Sequence, residues 1–291
     1  MRTSRFGRVG LTLLLVLAVV AGVGVMMMRG VGPLPDPEGC EARVGDVRVW
    51  LDTDQAENAA TIAAVGMRRG LPARAVSIAL ATAYQESKIR NLDYGDRDSV
   101  GIFQQRPSQG WGDPDQLQDV HFATNAFYDE LVTIDGYEEM RITEAAQAVQ
   151  RSGFPEAYED HAADARALAS ALTGYSPGGR FSCTVGTPSD LRSQQPRDNG
   201  LTPRADRVRR DLERAFGELS LGGFAPEGVT EGHQEGSTHY SGRAVDVFVR
   251  PVNESNNRRG WAIAQYAVAH AELNECEGER ENESEGESER R

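Results

Sequence analysis

Lysine is all but absent from this chain. Of its 31 basic residues only Lys88 is a lysine, and 44 Asp and Glu leave a formal net charge of −13 over 291 residues. A deficit of cations on this scale excludes nucleic acid as a partner, because binding a phosphate backbone draws its affinity from clustered Lys and Arg. Cysteine is scarce as well, with three in the chain. No internal repeat is present, which excludes a solenoid or propeller.

One long apolar run does occur. Val9 to Met28 is uncharged for 20 residues, enough to span about 30 Å as a helix and cross a hydrocarbon core. Arg2, Arg5 and Arg8 before it, against Arg29 alone after it, place the short end in the cytoplasm and the bulk outside. Gly22-Val23-Gly24 offers small residues for a cleavable signal, giving a secreted product instead, but no Ala-x-Ala follows and the run continues past it. The expected layout is a cytoplasmic end (1–8), an anchor (9–28), a linker (29–45), a first domain (46–183), a second linker (184–201), a second domain (202–273) and an acidic tail (274–291). The tail holds eight Glu and three Arg among small polar residues and cannot form a core.

The first domain reads as helical. Val76, Leu80, Ala83 and Tyr84 make one apolar stripe on a helix from Leu71 to about Arg90. Further helices are expected over Leu117–Ile134, Thr143–Ser152 and Glu156–Leu172, the last opened by Pro155. Glu86 lies in the last turns of the first of these. There the negative helix pole and an apolar wall both disfavour ionisation, which suits a general acid. Glu86-Ser87 is followed by Ser99-Val-Gly-Ile-Phe-Gln-Gln105, a loop of the kind that grips a sugar polymer. Asp96 and Asp98 are the candidates for a second carboxylate, which a hydrolytic mechanism would need.

Glu86-Ser87 and Gly101-Ile102-Phe103-Gln104 resemble, in order, the signature of the lysozyme-like lytic transglycosylases of bacterial cell walls. The family's third element, an Ala-Tyr-Asn-like helix, is matched approximately by Ala148-Val149-Gln150, with Tyr158 following. The resemblance implies an all-α lysozyme-like fold over residues 46–174. It also implies that Glu86 protonates the bond between N-acetylmuramic acid and N-acetylglucosamine, with Ser87, Gly101, Gln104, Gln150 and Tyr158 at the substrate. No cofactor is implied there. Trp111, between two glycines, is either a sugar platform or a loop anchor. Cys40 and Cys183 bracket this region, and an oxidising compartment would let them pair, leaving Cys276 odd.

Downstream, Ser237-Thr-His239-Tyr-Ser-Gly242-Arg-Ala244-Val-Asp246 sets an imidazole and a carboxylate seven positions apart around a small-residue turn, which is a metal-ligand spacing. The pattern resembles the Ser-x-His-x-x-Gly-x-Ala-x-Asp motif of the zinc D-Ala-D-Ala carboxypeptidases, over residues 202–273, and implies a smaller α+β domain with His239 and Asp246 as zinc ligands. The family's later strand, with its second His and its base, is missing. His233 lies in a Gly-rich loop, and His270 sits on an apolar-periodic helix where packing is expected. Two ligands predict weak zinc binding and no peptidase activity. Thr202 and Pro203 are expected to cap and open a helix carrying Val208, Leu212 and Phe216, and Ala244–Val249 reads as a strand. The whole reads as an exported, membrane-tethered enzyme whose partner is peptidoglycan.

Overall fold

The computed structural model describes residues 38–176, 178–186 and 193–271. The apolar run of 9–28, the acidic tail and Cys276 lie outside the described residues, and among those described no helix is long and apolar enough to cross a membrane.

A three-stranded antiparallel sheet opens the described chain, with β1 (Gly39–Val44), β2 (Val47–Leu51) and β3 (Arg180–Thr184) in the order β2-β1-β3. Its pattern is the pleat's: Cys40, Ala42, Val49 and Leu51 are buried while neighbours such as Trp50 face out. Cys40 sits opposite Cys183 in the β1–β3 ladder, and the two are joined by a disulfide. The sequence reading expects helices alone here; the strands escape it because each is only five or six residues long and charge-interrupted.

Eight α-helices follow among the described residues. α1 (Thr53–Arg68) is opened by Asp52, whose side chain accepts from Gln55 N while the Gln55 side chain caps Asp52 N in return. α2 (Ala73–Ser87) carries the predicted stripe, with Val76, Leu80 and Ala83 fully buried. α3 (Pro114–Leu117), α4 (Val120–Leu131), α5 (Ile142–Gln150) and α6 (Ala162–Thr173) complete the first region. The helix expected from Glu156 begins as a short 3-10 turn, Ala157–His161, before α6 proper. α7 (Pro203–Phe216) starts where predicted, with the Thr202 hydroxyl accepting from Ala205 N. β4 (Ser220–Gly222) pairs with β5 (Asp246–Phe248), and α8 (Glu254–Ala269) ends the described chain.

α2 packs most extensively on α6, while α1 lies between α4, α6, α7 and α8. Part of the boundary expected at 184–201 lies outside the described residues. On either side of it, apolar residues join one cluster, in which Leu212, Phe216, Ile263 and Tyr266 meet Ala59, Ile62 and Leu168. Polar clasps reinforce this contact: Arg214 pairs with Asp119 at 2.5 Å, and Arg68 donates to Arg214 O at 2.7 Å. His270 is buried in the same seam, stacked on Tyr266 with ring centroids 3.8 Å apart and its Nε2 3.3 Å from Thr61 Oγ1.

Candidate active site

α2 stops abruptly one residue after Glu86. Lys88 and Ile89 both adopt positive φ (58° and 60°), and their amides turn back to Tyr84 O and Ala83 O. A β-branched residue at positive φ is strained. Five non-glycine residues take such angles among the described residues; Lys88 and Ile89 end the helix that carries Glu86, Gln104 lies in the Gly-Ile-Phe-Gln loop, and Arg151 follows Gln150. Strain of this kind persists where surrounding structure overdetermines it, and it gathers at functional sites.

The Glu86 side chain is partly buried, and burial is the main cause that raises its pKa above the ordinary 4.5. Two hydrogen bonds pull the other way. Tyr158, wholly enclosed, donates its hydroxyl to Glu86 Oε1 at 2.6 Å, and the Gln150 amide also reaches the carboxyl. The Gln150 amide donates to Phe103 O at 2.7 Å, which holds this side chain on the Gly-Ile-Phe-Gln loop.

That loop is closed by reciprocal backbone bonds between Val100 and Gln105 at 3.0 and 3.1 Å. Ser87 is buried, with its hydroxyl donating to Ile102 O at 2.7 Å, so it clips loop to helix. Gly101 stands at φ 79° with its amide on Leu92 O at 2.7 Å, and a Cβ there would lie 2.3 Å from Leu117 O. Only glycine fits that position. Gln104 turns its amide inward to Tyr94 O and Gly101 O at 3.2 and 3.1 Å. Ile102 and Phe103 are buried, and Phe103 stacks on Phe127 with centroids 4.7 Å apart.

Beside Gln150 opens a cleft of about 500 Å³, lined by Gln109, Gly110, Trp111, Glu130, Val149 and Arg151 as well. Trp111 both lines this cleft and packs part of its side chain against the core. Glu130 and Arg151 form an ion pair at 3.2 Å along this wall. Neither was visible as a site residue in sequence, since a lone charge on an amphipathic helix or after a helix end gives no signal. Of the two aspartates considered as a second carboxylate, Asp98 accepts from Ser108 N at 2.8 Å and Arg106 Nε at 2.7 Å, and its bonds to Ser108, then to Arg106, hold its pKa far below the usual carboxylate range. Asp96 is 92 % exposed at its side chain.

A second group forms around β4 and β5. His239, on the short 3-10 turn Thr238–Ser241, faces Asp246 at the start of β5, with Nε2 3.4 Å from Asp246 Oδ1. Its Nδ1 lies 2.8 Å from Gly223 O, a carbonyl that can only accept, so Nδ1 is the donor there and Nε2 is the nitrogen turned to Asp246. The structure adds His233, which the sequence reading sets aside. One ligand atom from each of His233, His239 and Asp246 lies within 4.8 Å of the others, and the two imidazoles stack at 4.0 Å. His270 is not part of this group.

A family model described as VldE, C-terminal domain, matches residues 197–277. The matched span is under a third of the chain and contains α7, α8 and the whole His233–His239–Asp246 group. No curated protein matches the chain.

Proposed function

We propose that this chain is an exported peptidoglycan-cleaving enzyme that cuts glycan strands between N-acetylmuramic acid and N-acetylglucosamine, with Glu86 as the general acid. The observation that carries this reading is the Glu86 carboxyl itself. Burial favours its protonated form, Tyr158 fixes its direction, and the nearby Gln150 lines an open cleft. A protonated carboxyl held in place can deliver its proton to the glycosidic oxygen as the C1–O bond breaks.

The second half of the reaction is assigned to the substrate. Asp98 is committed to Arg106 and Ser108, and Asp96 points into solvent, so neither is poised as a base. The N-acetyl group of the muramic residue then stabilises C1. The carboxylate left on Glu86 accepts the proton of the C6 hydroxyl as that oxygen closes on C1, giving a 1,6-anhydromuramic end. No cofactor enters these steps. The Cys40–Cys183 disulfide supports an oxidising, extracytoplasmic location, and residues 9–28 would supply the membrane tether.

Glu86→Gln tests the assignment. It should abolish solubilisation of purified peptidoglycan while leaving sedimentation of the folded protein with the polymer unchanged. Absence of cleavage by the unaltered protein on several peptidoglycans, with binding retained, would instead mark a wall-binding scaffold.

A further inference from the structure

The metal-binding motif read in the sequence supplies two ligands, His239 and Asp246. The structure shows where another imidazole comes from. His233 precedes the motif in a loop of Gly, Glu, Gln and Ser, where nothing in the pattern predicts a fixed position. Tyr240 fixes it: the His233 backbone N–H donates to the Tyr240 hydroxyl at 3.1 Å, and that hydroxyl donates on to His233 O. Because Tyr240 is the neighbour of His239 in sequence, the same 3-10 turn positions both imidazoles.

The donor chemistry fits zinc. Two imidazoles and one carboxylate are ordinary zinc ligands, and bonds of about 2.0–2.1 Å in tetrahedral geometry put adjacent ligand atoms about 3.3–3.4 Å apart. His239 Nε2 and Asp246 Oδ1 are separated by 3.4 Å. The bond from His239 Nδ1 to Gly223 O leaves the correct nitrogen free for a metal, which is the usual outer arrangement of a metal-bound histidine. The backbone also makes room for the group. Gly223 stands at φ 77°, and a Cβ there would lie 2.5 Å from the His239 ring and 2.9 Å from Asp246 Oδ2. Among the described residues this is the one group of three such side chains close enough to share an ion.

We propose that His233, His239 and Asp246 bind one zinc ion, with His233 as the third protein ligand. The site so formed has three protein ligands and one position open to water, the pattern of a catalytic rather than a purely structural zinc. The rings of His233 and His239 stand 10° from parallel, so binding requires the His233 ring to turn toward the ion. This inference is independent of the role of Glu86.

Zinc content and competition affinity of the purified full chain test it, beside His233→Ala and His239→Ala. One zinc per chain is expected, with both variants weakened by more than about 100-fold, since losing even an outer partner of a ligand costs about 10–100-fold. A folded chain that binds no zinc, or His233→Ala binding as tightly as the parent, would overturn the proposal. A readout on the unaltered protein guards against variants that fail to fold. With cobalt in place of zinc, paramagnetically shifted imidazole N–H resonances should report two bound histidines, and a single one would refute His233 as a ligand.

Discussion

Tyr158 and Glu86, 72 positions apart in sequence, meet through a hydrogen bond of 2.6 Å in which the phenol donates and the carboxyl accepts. The contact is made possible by α2 packing against the 3-10 turn Ala157–His161. It opposes burial, lowering the carboxyl's pKa where desolvation raises it. The enclosed phenol in turn is held above its ordinary range, chiefly by burial and then by the charge on Glu86.

Tyr158→Phe should therefore move the alkaline limb of the pH–rate profile to higher pH, because removing a bond to the ionised form leaves desolvation less opposed. The maximal rate should fall by about tenfold or less, since the carboxyl remains in place as the general acid. An alkaline limb displaced to lower pH would show that the phenol acts otherwise.

The raised pKa of Glu86 also has a stability consequence. Its folded pKa exceeds the unfolded value of 4.5, so the neutral form favours folding below pH 4.5 and that advantage is lost as pH rises through the folded pKa. Glu86→Gln should accordingly gain thermal stability over the unaltered protein at pH 8 and lose that margin at pH 4. Melting curves at the two pH values check it, and a margin that grows in acid would contradict it.

His121 titrates with the opposite linkage. Burial, then the Arg214 guanidinium, lowers its pKa to about 4 from 6.5. Between those values the unfolded chain binds the extra proton, so stability should fall as pH drops from 6.5 toward 4. The contribution is on the order of 2 kcal/mol, discounted from the full conversion because the ring is only partly enclosed. His121→Gln should flatten that part of the acid unfolding curve.

Some of this architecture is legible in sequence and some is not. The α2 stripe, the Thr202–Pro203 helix start and the Cys40–Cys183 pairing follow from local periodicity, capping chemistry and the position of two cysteines around one region. The β1–β3 sheet does not, because its strands are short and its register joins segments 143 residues apart. Nor does the contact of Tyr158 with Glu86, which joins segments 72 residues apart. His233 is the clearest case: a histidine in a Gly-rich loop carries no periodic signal, and its position depends on a hydroxyl seven residues later.

Gly101→Ala should damage the site without touching a titratable group. The added methyl would lie 2.3 Å from Leu117 O at a backbone angle that side chains rarely adopt. A cost of about 1–3 kcal/mol is expected, with loss of activity as the loop shifts from Ser87 and Gln150. Denaturant unfolding beside the cleavage assay measures both, and an alanine variant with full stability would contradict the tight turn.

Removing the cross-link should weaken the fold more severely. The Cys40–Cys183 bond spans a separation of 143 residues, and the chain-entropy model assigns closure of such a loop about 5 kcal/mol. Cys40→Ala together with Cys183→Ala should lower the melting temperature markedly, and an unchanged melt would refute the assignment.

The most direct measurement is mass spectrometry of the muropeptides released from peptidoglycan by the purified protein and by Glu86→Gln. Muropeptides ending in 1,6-anhydromuramic acid, present with the unaltered protein and absent with the variant, are the predicted result. Free reducing ends instead would contradict the substrate-assisted mechanism, and equal cleavage by Glu86→Gln would contradict the role of Glu86 itself.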